Sequence, residues 1–518
     1  MFSMKNTSTE NWLGKEPKIA EEQIKTVLNT EMLVIGGGLG GLVCSASGAE
    51  SGLKTILIEK RSMLAHTKNE FGALGSTLQK QEGVEIDKWE LIRDALMYSA
   101  GYIDERLWTL WADESGEAID WLSERFGEGG SVMWFQGGYE QHSTDGFGFT
   151  KYLSGHRPKW GKKSGSHILR DYALQHGAEV LMNTGLVKLI REYGRVTGCI
   201  AWDSKKEEYV RINASKGLVV ATGGYAKNVE MLEALQPQTR DVICLTVCDG
   251  HGMGDGIRAC IWVGAKFDDV HSSIVFDRGV LRAGETPRTC ALDGDTNEIN
   301  AQPWLKVNLN GERFSNESVP YDFILHAASL QPGGCYCVIF DSDFEQYIDN
   351  FEMAGCSRLV PFSNDAPTSH TLNDMIVKTE HQIADGRYAK ANSIEELAEQ
   401  LSIPKDNLVR TVARYNELYN LGKDEDFGKL PHHLSKIMTP PFYGCRTCGF
   451  LLSTVDGIRI NTDMNALDEN FEPIPGLYVV GNDSGGFFAN TYFNTVTGCA
   501  GGRTVTFARR TAKTIAAL

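Results

Sequence analysis

The sequence has no long apolar run and a shortage of positive charge. No stretch approaches the about 20 apolar residues of a membrane span, and the N-terminal segment lacks the apolar core of a secretory signal. The 51 lysines and arginines are outnumbered by 67 aspartates and glutamates, so the net charge is −16 at pH 7. Such a surface repels nucleic acids and anionic membranes. These absences predict a cytoplasmic protein whose partners include neither nucleic acid nor membrane.

Proline is also scarce, with 15 residues, whereas glycine is abundant, with 55. That ratio disfavours a disordered chain and indicates close approaches of the backbone to a ligand. The 12 cysteines are scattered through apolar runs, which is typical of reduced buried thiols. Cys445 and Cys448 form a C-x-x-C pair, but a metal site needs further ligands that only the fold could bring near. No metal site is predicted.

Strand and helix patterns alternate at both ends of the chain, and the region between them lacks this regular alternation. Short apolar runs at Met32–Ile35 and Thr55–Ile58 flank a helical pattern, as in a βαβ unit. In the middle of the chain, loops and helices surround one short strand at Cys335–Phe340. A short helix is expected at Ile19–Val27. The sequence predicts an α/β fold in which a Rossmann-like domain is split in sequence and interrupted by an α+β capping domain. The predicted segments are a polar leader (1–30), the first Rossmann-like part (31–268), the capping domain (269–430) and the second Rossmann-like part (431–518).

A glycine fingerprint follows the first predicted strand. Gly36, Gly38 and Gly41 satisfy G-x-G-x-x-G ahead of a helix pattern at Leu42–Ser51. Glycines at these positions allow a tight turn, the approach of the backbone to a pyrophosphate and close packing of helix on strand. The helix N-terminus then offers N–H groups to phosphates. Glu59 ends the second strand at the spacing of an acid that binds ribose hydroxyls. Together these features predict a dinucleotide site.

Two more strands end in glycine-rich segments. At such ends the chain can pass close to a nucleotide, although a simple strand-ending turn is the alternative for each. The predicted nucleotide contacts in these segments are Ala221, Thr222, Gly223, Gly224, Gly481 and Asn482.

The order of several longer motifs carries a family resemblance. Besides the fingerprint, the motifs are TGLVKLIREYGRVTGCIAW, GLVVATGGYAKN, GHGMGDGIRACIWVGAKFDD, KVNLNGERFSNESVPYD and PIPGLYVVGNDSGG. In these the chain resembles the fumarate reductase and succinate dehydrogenase flavoprotein superfamily, which includes 3-ketosteroid dehydrogenases. The resemblance implies FAD as the cofactor, hydride exchange at flavin N5 and a substrate held between flavin and cap. It implies further FAD contacts at Lys60, Thr67, Gly72, Val187, Asp255 and Thr497. His66 lies near the position of a covalent histidyl–FAD link in complex II flavoproteins, and a histidine that only lines the flavin is the alternative.

The cations that bind a dicarboxylate in fumarate reductases are missing from the aligned positions. The resemblance places those positions at about Asn300, Phe276, Ser453 and Thr491. Without cations, two substrate carboxylates would stay unpaired at a cost of about several kcal/mol. The sequence therefore predicts that fumarate is not the substrate.

Tyrosines stand where the resemblance implies catalytic groups. Tyr321 and Tyr492 align with two tyrosines of ketosteroid dehydrogenases, whereas Val496 replaces their glycine partner. A phenol can give or accept a proton at a carbon that develops carbanion character. Arg446, in the segment PPFYGCRTCGF, is a further candidate, because a cation there could bind a carbonyl oxygen or the negative charge of reduced flavin. Tyr443 is a candidate because it lies in the same segment. For each of the four residues a purely structural role is the alternative.

The predicted activity is hydride transfer between flavin N5 and the carbon–carbon double bond of a bulky cyclic or aromatic substrate, such as a steroid- or isoflavonoid-like enone. One alternative is a 3-ketosteroid dehydrogenase that runs in the oxidative direction. The others are a flavoprotein electron-transfer subunit and a fumarate-type dicarboxylate reductase. Because both nucleotide motifs serve one FAD in this family, electrons are expected from a donor protein or from free reduced flavin.

Overall fold

The computed structural model describes residues 12–66, 69–136, 149–247, 252–351, 357–362, 365 and 368–518. The strands are β1 (Ile24–Ile35), β2 (Thr55–Glu59), β3 (Phe71–Gly72), β4 (Val132–Phe135), β5 (Gly155–Lys159), β6 (Glu179–Met182), β7 (Thr184–Glu192), β8 (Arg195–Asp203), β9 (Glu208–Val220), β10 (Ile243–Thr246), β11 (Ser273–Leu281), β12 (Asp295–Thr296), β13 (Leu305–Val307), β14 (Tyr336–Asp341), β15 (Tyr388–Ala391), β16 (Phe442–Thr454), β17 (Asn465–Leu467) and β18 (Pro473–Val479). The α-helices are α1 (Leu39–Glu50), α2 (Thr77–Gln81), α3 (Lys88–Tyr98), α4 (Glu105–Glu128), α5 (Gly165–Gln175), α6 (Val229–Leu235), α7 (Pro237–Val242), α8 (Asp255–Trp262), α9 (Tyr321–Ser329), α10 (Leu372–Ala384), α11 (Ile394–Leu401), α12 (Lys405–Leu421) and α13 (Cys499–Ala516).

An eight-stranded sheet holds the predicted Rossmann-like elements. Its main order is β17-β18-β9-β1-β2-β6, and β7 and β8 extend it from β9. β1 pairs in parallel with β2 and β9, and β18 pairs in parallel with β9. The carboxyl ends of β1, β9 and β18 therefore meet at one edge of the sheet. The fingerprint, the Ala221–Gly224 segment and Gly481-Asn482 follow these three strands directly, which confirms the α/β fold and brings the predicted nucleotide segments together.

The predicted short helix at Ile19–Val27 is wrong. A 3₁₀ turn at Glu21–Gln23 leads into β1, which already begins at Ile24. Residues 24–29 alternate between half-buried and exposed positions, and this period of two is the pattern of a strand with one solvated face. The strand pairs there with residues 209–213 of β9. The polar residues ahead of the fingerprint thus contribute to the sheet.

A second, seven-stranded sheet is built around β16. This strand pairs antiparallel with β11, β14 and β15 and parallel with β10. The sheet takes strands from between Ile243 and Thr454, so segments on both sides of the predicted boundaries at 268 and 430 contribute to it. The division of the chain at those two boundaries stays a prediction.

Helix α4 anchors the segment that follows β18. The indole of Trp108 donates to the Phe487 carbonyl at 2.7 Å, and its ring stacks on Phe487 with centroids 4.1 Å apart. Both residues are fully buried. Truncating a buried aromatic of this kind typically costs about 3–5 kcal/mol, so the contact holds the segment firmly beside the two sheets. Within the described ranges, every helix is too short or too polar to cross a membrane.

Candidate functional site

A cavity of about 500 Å³ opens at the edge where the carboxyl ends of β1, β9 and β18 meet. We call it the nucleotide cleft. Predicted residues Gly38, Ala221, Gly223, Gly481 and Asn482 line it. Sequence reasoning missed the other lining residues, several of which come from distant elements with no local nucleotide motif. They are Leu39, Gly40, Arg61, Met63, Leu64, Ala65, Val247, Leu452, Ser453 and Thr504, and His66 also lines the cleft.

The three fingerprint glycines meet three different demands. A Cβ at Gly36 would lie 2.3 Å from the Ala221 carbonyl oxygen, and the φ of Gly36 is +110°. A Cβ at Gly41 would lie 1.8 Å from the Gly36 oxygen. A Cβ at Gly38 would meet no atom within 4 Å among the described residues outside its chain neighbours. Gly36 and Gly41 are thus required by the protein backbone itself, whereas Gly38 keeps space open in the cleft.

The Ala221–Gly224 turn is closed by Asp483. Its carboxylate accepts the N–H groups of Thr222, Gly223 at 3.1 Å and Gly224 at 2.8 Å. Burial raises the pKa of Asp483, and these donors lower it. The N–H groups of Thr222, Gly223 and Gly224 are therefore already bound to a carboxylate. Of the four residues of the turn, Ala221 and Gly223 line the nucleotide cleft, and Thr222 and Gly224 are not among its described lining residues. Sequence reasoning missed Asp483, although it follows the predicted Gly-Asn pair directly.

Glu59, Lys60 and Asp255 are not among the described residues that line the nucleotide cleft. Glu59 Oε2 accepts the Gly37 N–H at 2.7 Å, which ties the end of β2 to the fingerprint. The predicted contacts Lys60 and Asp255 form a half-exposed ion pair with each other, with Nζ and Oδ2 2.8 Å apart. Their contact with the cofactor stays a prediction.

The remaining predicted cofactor residues are more scattered. Gly72 packs on the segment that precedes α13, because its N–H donates to the Gly498 carbonyl at 2.7 Å. A Cβ at Gly72 would lie 2.8 Å from the Thr497 carbonyl oxygen. Val187 lies in the β7–β8 hairpin, outside the described lining of the cleft. Thr67 lies outside the described residues. Their roles, and a covalent link at His66, stay predictions.

The nucleotide cleft fits the FAD that the resemblance implies. Helix α1 begins at the cleft with Gly38 as its N-cap, so its first N–H groups are oriented as in phosphate sites. Asn482 donates to Ser453 Oγ at 2.6 Å, but its buried Oδ1 has no hydrogen-bond donor among the described residues. A buried amide oxygen without a donor is costly unless a ligand supplies one. The hydroxyls of FAD are such donors, and the space at Gly38 is where a phosphate can approach.

A second cavity, of about 480 Å³, adjoins the nucleotide cleft. Val247 and Leu452 line both cavities. Two phenylalanines form one apolar wall: Phe276 of β11 and Phe450 of β16 are register partners, with ring centroids 6.2 Å apart. We call this space the aromatic cavity. Its other lining residues are Asn69, Glu70, Leu245, Ile274, Arg278, Thr296, Glu298, Tyr321, Ser369, His370, Tyr492, Asn494, Val496, Thr497, Gly498, Ala500 and Gly501.

The structure brings the two predicted catalytic tyrosines to the same cavity. Tyr321 is the first residue of α9, and its ring meets Phe276 edge-on at 5.3 Å. Tyr492 lies just ahead of α13, and its hydroxyl oxygen accepts the N–H of Ala500 at 3.1 Å. That N–H belongs to the first turn of the helix and has no intrahelical acceptor. Both phenols therefore line the aromatic cavity, while their role in catalysis stays a prediction.

Asp322 joins the segments that carry the two tyrosines. Its carboxylate accepts the backbone N–H of Tyr492 at 2.7 Å and the side chain of Asn494 at 3.3 Å. Asp322 follows Tyr321 in α9, so one buried carboxylate fixes both tyrosine segments. Burial raises the pKa of Asp322 to about 8, a nearby Asp277 adds to the rise, and the two donors oppose it.

The D322N variant is expected to change how stability depends on pH. Folded Asp322 keeps its proton up to about pH 8, whereas an unfolded aspartate releases it near pH 4. Its contribution to stability is therefore complete below about pH 4 and is lost as the pH rises through about 8. The amide introduced by D322N does not titrate, so the melting temperature of this variant should fall less between pH 5 and pH 8.5 than that of the wild type, by about 1 °C for each kcal/mol in a chain of this length. Equal falls in both proteins would contradict this assignment.

One end of the aromatic cavity is polar. Arg278 Nη1 lies 3.5 Å from Glu298 Oε1, and its Nη2 donates to Ser357 Oγ at 2.9 Å. The guanidinium also lies 4.2 Å from the ring centre of Phe276. Sequence reasoning missed Arg278 and Glu298. The available signal was the charged Asp277-Arg278 pair inside β11, a strand whose nine residues are all buried and whose charges must therefore be paired.

Arg446 does not reach the aromatic cavity, so the prediction of a catalytic role for it is corrected. Its guanidinium donates to three carbonyl oxygens, of Leu401 at 3.1 and 3.2 Å, Ser402 at 3.3 Å and Glu285 at 3.1 Å. It precedes Phe450 by four residues in β16, a distance of about 13 Å along a strand. Arg446 instead joins β16 to the end of α11.

The prediction of a catalytic role for Tyr443 is corrected in the same way. Its ring stacks on Phe340 with centroids 5.5 Å apart, and Lys390 Nζ lies 5.4 Å from the ring centre. Phe340 belongs to β14, and Lys390 belongs to β15. Tyr443 therefore packs within the second sheet, outside the described lining of both cavities.

The Cys445–Cys448 pair does not form a site. Residues three apart in a strand point to opposite faces, and both cysteines lie in β16. Cys445 accepts from Asn300 Nδ2 at 3.1 Å, whereas Cys448 packs with Cys244 in a separate apolar cluster. Burial raises the pKa of Cys445 to about 11. Among the described residues, no group of three or more histidine, cysteine or acidic side chains could hold a metal ion.

Comparison with known proteins agrees with this geometry. The family model described as FAD binding domain matches residues 31–493. Vinyl phenol reductase of Lactiplantibacillus plantarum is 27% identical over 91% of this chain and 93% of its own length. A probable fumarate reductase of Shewanella frigidimarina is 28% identical over 93% of this chain and 74% of its own length. The structure of 3-ketosteroid-Δ4-(5α)-dehydrogenase from Rhodococcus jostii RHA1 superposes with a TM-score of 0.71 at 20% identity, and the match covers 97% of this chain and 100% of that one.

These matches confirm the family resemblance and FAD as the cofactor. The family model extends over most of the chain, and the fold-level match covers nearly all of it. The relatives named above reduce or oxidise bonds between carbon atoms. The chain therefore belongs to the FAD-binding-domain family, together with fumarate reductases and 3-ketosteroid dehydrogenases, and is an FAD-dependent oxidoreductase that acts on carbon–carbon bonds.

Proposed function

We propose that this enzyme reduces a carbon–carbon double bond conjugated with a ring, in a neutral substrate of phenol, isoflavonoid or steroid type. The observation that carries the proposal is the pair of adjoining cavities. A nucleotide cleft and a cavity walled by Phe276, Phe450, Tyr321 and Tyr492 meet at residues common to both. The volume of the aromatic cavity lies within the roughly 300–1,000 Å³ of small-molecule sites.

The residues of the aromatic cavity suit this reaction. When bound, FAD supplies the hydride chemistry. The stacked rings of Phe276 and Phe450 offer a flat apolar wall to a substrate ring. Tyr321 and Tyr492 both line this cavity, and the phenol of either could deliver the proton that the second substrate carbon requires.

Some of the relatives support a ring-shaped substrate, whereas the fumarate reductases among them do not. Vinyl phenol reductase matches this chain over nearly the full length of both proteins, and its name specifies an aromatic substrate with a carbon–carbon double bond. A dicarboxylate fits the aromatic cavity less well. The position aligned with a substrate-binding histidine is Phe276, and the cation Arg278 already lies beside Glu298. A second carboxylate there would meet a like charge.

The test is turnover of a defined panel under anaerobic conditions. The holoenzyme receives electrons from reduced methyl viologen, and the acceptors are 4-vinylphenol, an isoflavone, 4-androstene-3,17-dione and fumarate. Mass spectrometry of the products measures the gain of two hydrogens. We expect turnover of at least one ring compound and little or none of fumarate. Preferential turnover of fumarate would overturn the proposal. Oxidation of a saturated steroid with a dye acceptor, without reduction of any ring compound, would favour the dehydrogenase alternative.

A further inference from the structure

Arg503 is a fully buried cation near the start of α13. None of its surface is exposed. Its Nη2 donates to the Gly481 carbonyl at 2.7 Å, and its Nη1 donates to the Ser484 carbonyl at 3.3 Å. In the described part of the chain it forms no ion pair with a carboxylate, and its buried Nε has no acceptor. A buried charge of this kind is strongly destabilising unless an anion compensates it.

The acid near Arg503 is already bound to other groups. The carboxylate of Asp268 acts on the charge of Arg503 without forming an ion pair with it. Asp268 Oδ1 lies 3.1 Å from Arg459 Nη1. Its Oδ2 accepts the N–H groups of Gly457 and Gly486, both at 3.1 Å. Asp268 therefore compensates Arg459 first and leaves Arg503 without a close counter-charge.

The other neighbours of Arg503 carry no charge at neutral pH. The ring centres of Phe487 and Phe488 lie 5.6 and 5.1 Å from its Cζ, where aromatic faces attract a cation but do not neutralise it. Tyr492 and Cys499 also act on its charge, and a phenol or a thiol is neutral near pH 7. Burial lowers the pKa of Arg503 to about 10, although its titratable neighbours oppose this, so the guanidinium stays charged at neutral pH.

Arg503 lies at the boundary between the two cavities. Ala500 and Gly501 of α13 line the aromatic cavity, whereas Thr504 lines the nucleotide cleft. The helix thus passes from one cavity to the other over three residues, which is about 5 Å along its axis. Gly481, which accepts from Arg503 Nη2, also lines the cleft. The flavin ring must reach this boundary, because it exchanges hydride with a substrate in the aromatic cavity.

The phosphates of FAD are expected at a different strand end. The fingerprint turn follows β1, whereas Gly481 follows β18. Since β9 separates these two strands in the sheet, their ends lie about 10 Å apart. The flavin ring, in contrast, changes its charge during the reaction. Uptake of two electrons and one proton adds one negative charge to it at neutral pH.

We propose that Arg503 stabilises the negative charge of the reduced flavin and thereby raises the reduction potential of the bound FAD. Before reduction the buried cation is uncompensated, so electron uptake removes a cost that the fold carries. The attraction acts through a protein interior of low dielectric constant and requires no direct contact. The sequence suggested such a role for Arg446, which the structure places at the end of α11 instead. The inference takes the position of the flavin ring from the proposed function, but it does not depend on which substrate is reduced.

The test is the reduction potential of the bound FAD, measured by anaerobic spectroelectrochemistry without substrate. Arg503→Gln removes the charge but keeps an N–H donor for the Gly481 carbonyl. In this variant we expect the affinity for reduced FAD, relative to oxidised FAD, to fall at least about tenfold, which lowers the two-electron potential by about 30 mV. Arg503→Lys keeps a positive charge and should show less than about half of that decrease in potential.

Arg446→Gln is the matched control. It also removes a buried guanidinium that donates to backbone carbonyls, but Arg446 lies outside the described lining of both cavities. Its relative affinity for reduced FAD should stay within about twofold of wild type. An unchanged potential in Arg503→Gln would overturn the inference. Equal decreases in Arg503→Gln and Arg446→Gln, or in Arg503→Gln and Arg503→Lys, would overturn it as well.

If Arg503→Gln does not fold, the pH dependence of Arg503→Lys decides. A buried ammonium releases its proton at a lower pH than a guanidinium, so the difference in potential between this variant and wild type should widen from pH 7 to pH 9. Asp268, Cys499 and Tyr492, the titratable groups that act on position 503, are the same in both proteins. A constant difference would contradict the role of Arg503.

The potentials also separate this inference from the proposed function. If they change as expected while no ring compound is reduced, the proposed function fails and the role of Arg503 stands. If ring compounds are reduced while the potential of Arg503→Gln equals that of wild type, the role of Arg503 fails and the proposed function stands.

Discussion

Replacing Tyr321 or Tyr492 by phenylalanine is expected to slow substrate reduction by about 10²–10⁴-fold, the usual effect of losing a positioned proton donor. Only the hydroxyl is removed, so the apolar wall stays intact. The two tyrosines line one cavity, and Asp322 fixes the segments that carry them. The residue that delivers the proton should show the larger loss. The other should show a smaller loss that reflects positioning.

The measurement is the rate of flavin reoxidation by 4-vinylphenol in a stopped-flow instrument. Reduction of the flavin by methyl viologen in the same variants should keep its wild-type rate, because neither hydroxyl is needed for electron entry. Tyr419→Phe is the matched control, since Tyr419 lies in α12 and packs near Tyr347, outside the described lining of both cavities. Reoxidation within about threefold of wild type in the double variant Y321F/Y492F would refute the assignment of either phenol as the proton donor.

Two substitutions in the glycine fingerprint are expected to fail for different reasons. In G41A the added Cβ would lie 1.8 Å from the Gly36 oxygen, so the turn itself must shift. A cost of about 3 kcal/mol or more is expected, at the upper end of overpacking effects. In G38A the added Cβ meets open space, so the apoprotein should melt close to wild type. The methyl group would instead occupy space where the cofactor pyrophosphate must approach.

The affinity for FAD and the apoprotein melting temperature distinguish the two variants. G38A should keep its melting temperature but bind FAD at least about tenfold more weakly, which corresponds to about 1.4 kcal/mol. G41A should lose thermal stability before any cofactor is added. Wild-type FAD affinity in G38A would contradict the placement of the phosphates at this turn, and an unaltered melting temperature in G41A would contradict the packing described for Gly41.

The fold and the nucleotide segments were predictable because their signals are local. A run of apolar residues followed by a glycine marks the end of a buried parallel strand, and parallel strands of one sheet end at the same edge. Gly36, Ala221 and Gly481 therefore come together once the strand assignments are correct. The strand at Ile24 was missed because its polar alternation resembles a surface segment when its partner β9 is not known.

The rest of the site depends on contacts between distant parts of the chain. Asp483 closes the Ala221–Gly224 turn from more than two hundred residues away, and no spacing rule anticipates that contact. Arg446 looked like a cation near the flavin, but the register of β16 directs it towards α11. Glu298 is paired inside the aromatic cavity only because β11 carries Arg278 beside it. Long-range strand pairing decides these positions: β18 with β9 in the first sheet for Asp483, and β16 with β14 in the second sheet for Arg446.

The most direct test of the proposed function is a single ratio of rate constants. The enzyme-bound FAD is reduced anaerobically and mixed with 4-vinylphenol or with fumarate at equal concentrations, and reoxidation is followed by absorbance. The adjoining cavities and the Arg278–Glu298 pair predict that the ring compound reoxidises the flavin at least about 100-fold faster, a difference of about 2.7 kcal/mol in the barrier. Faster reoxidation by fumarate would contradict the proposed ring-substrate site and would favour the alternative function, a fumarate-type dicarboxylate reductase.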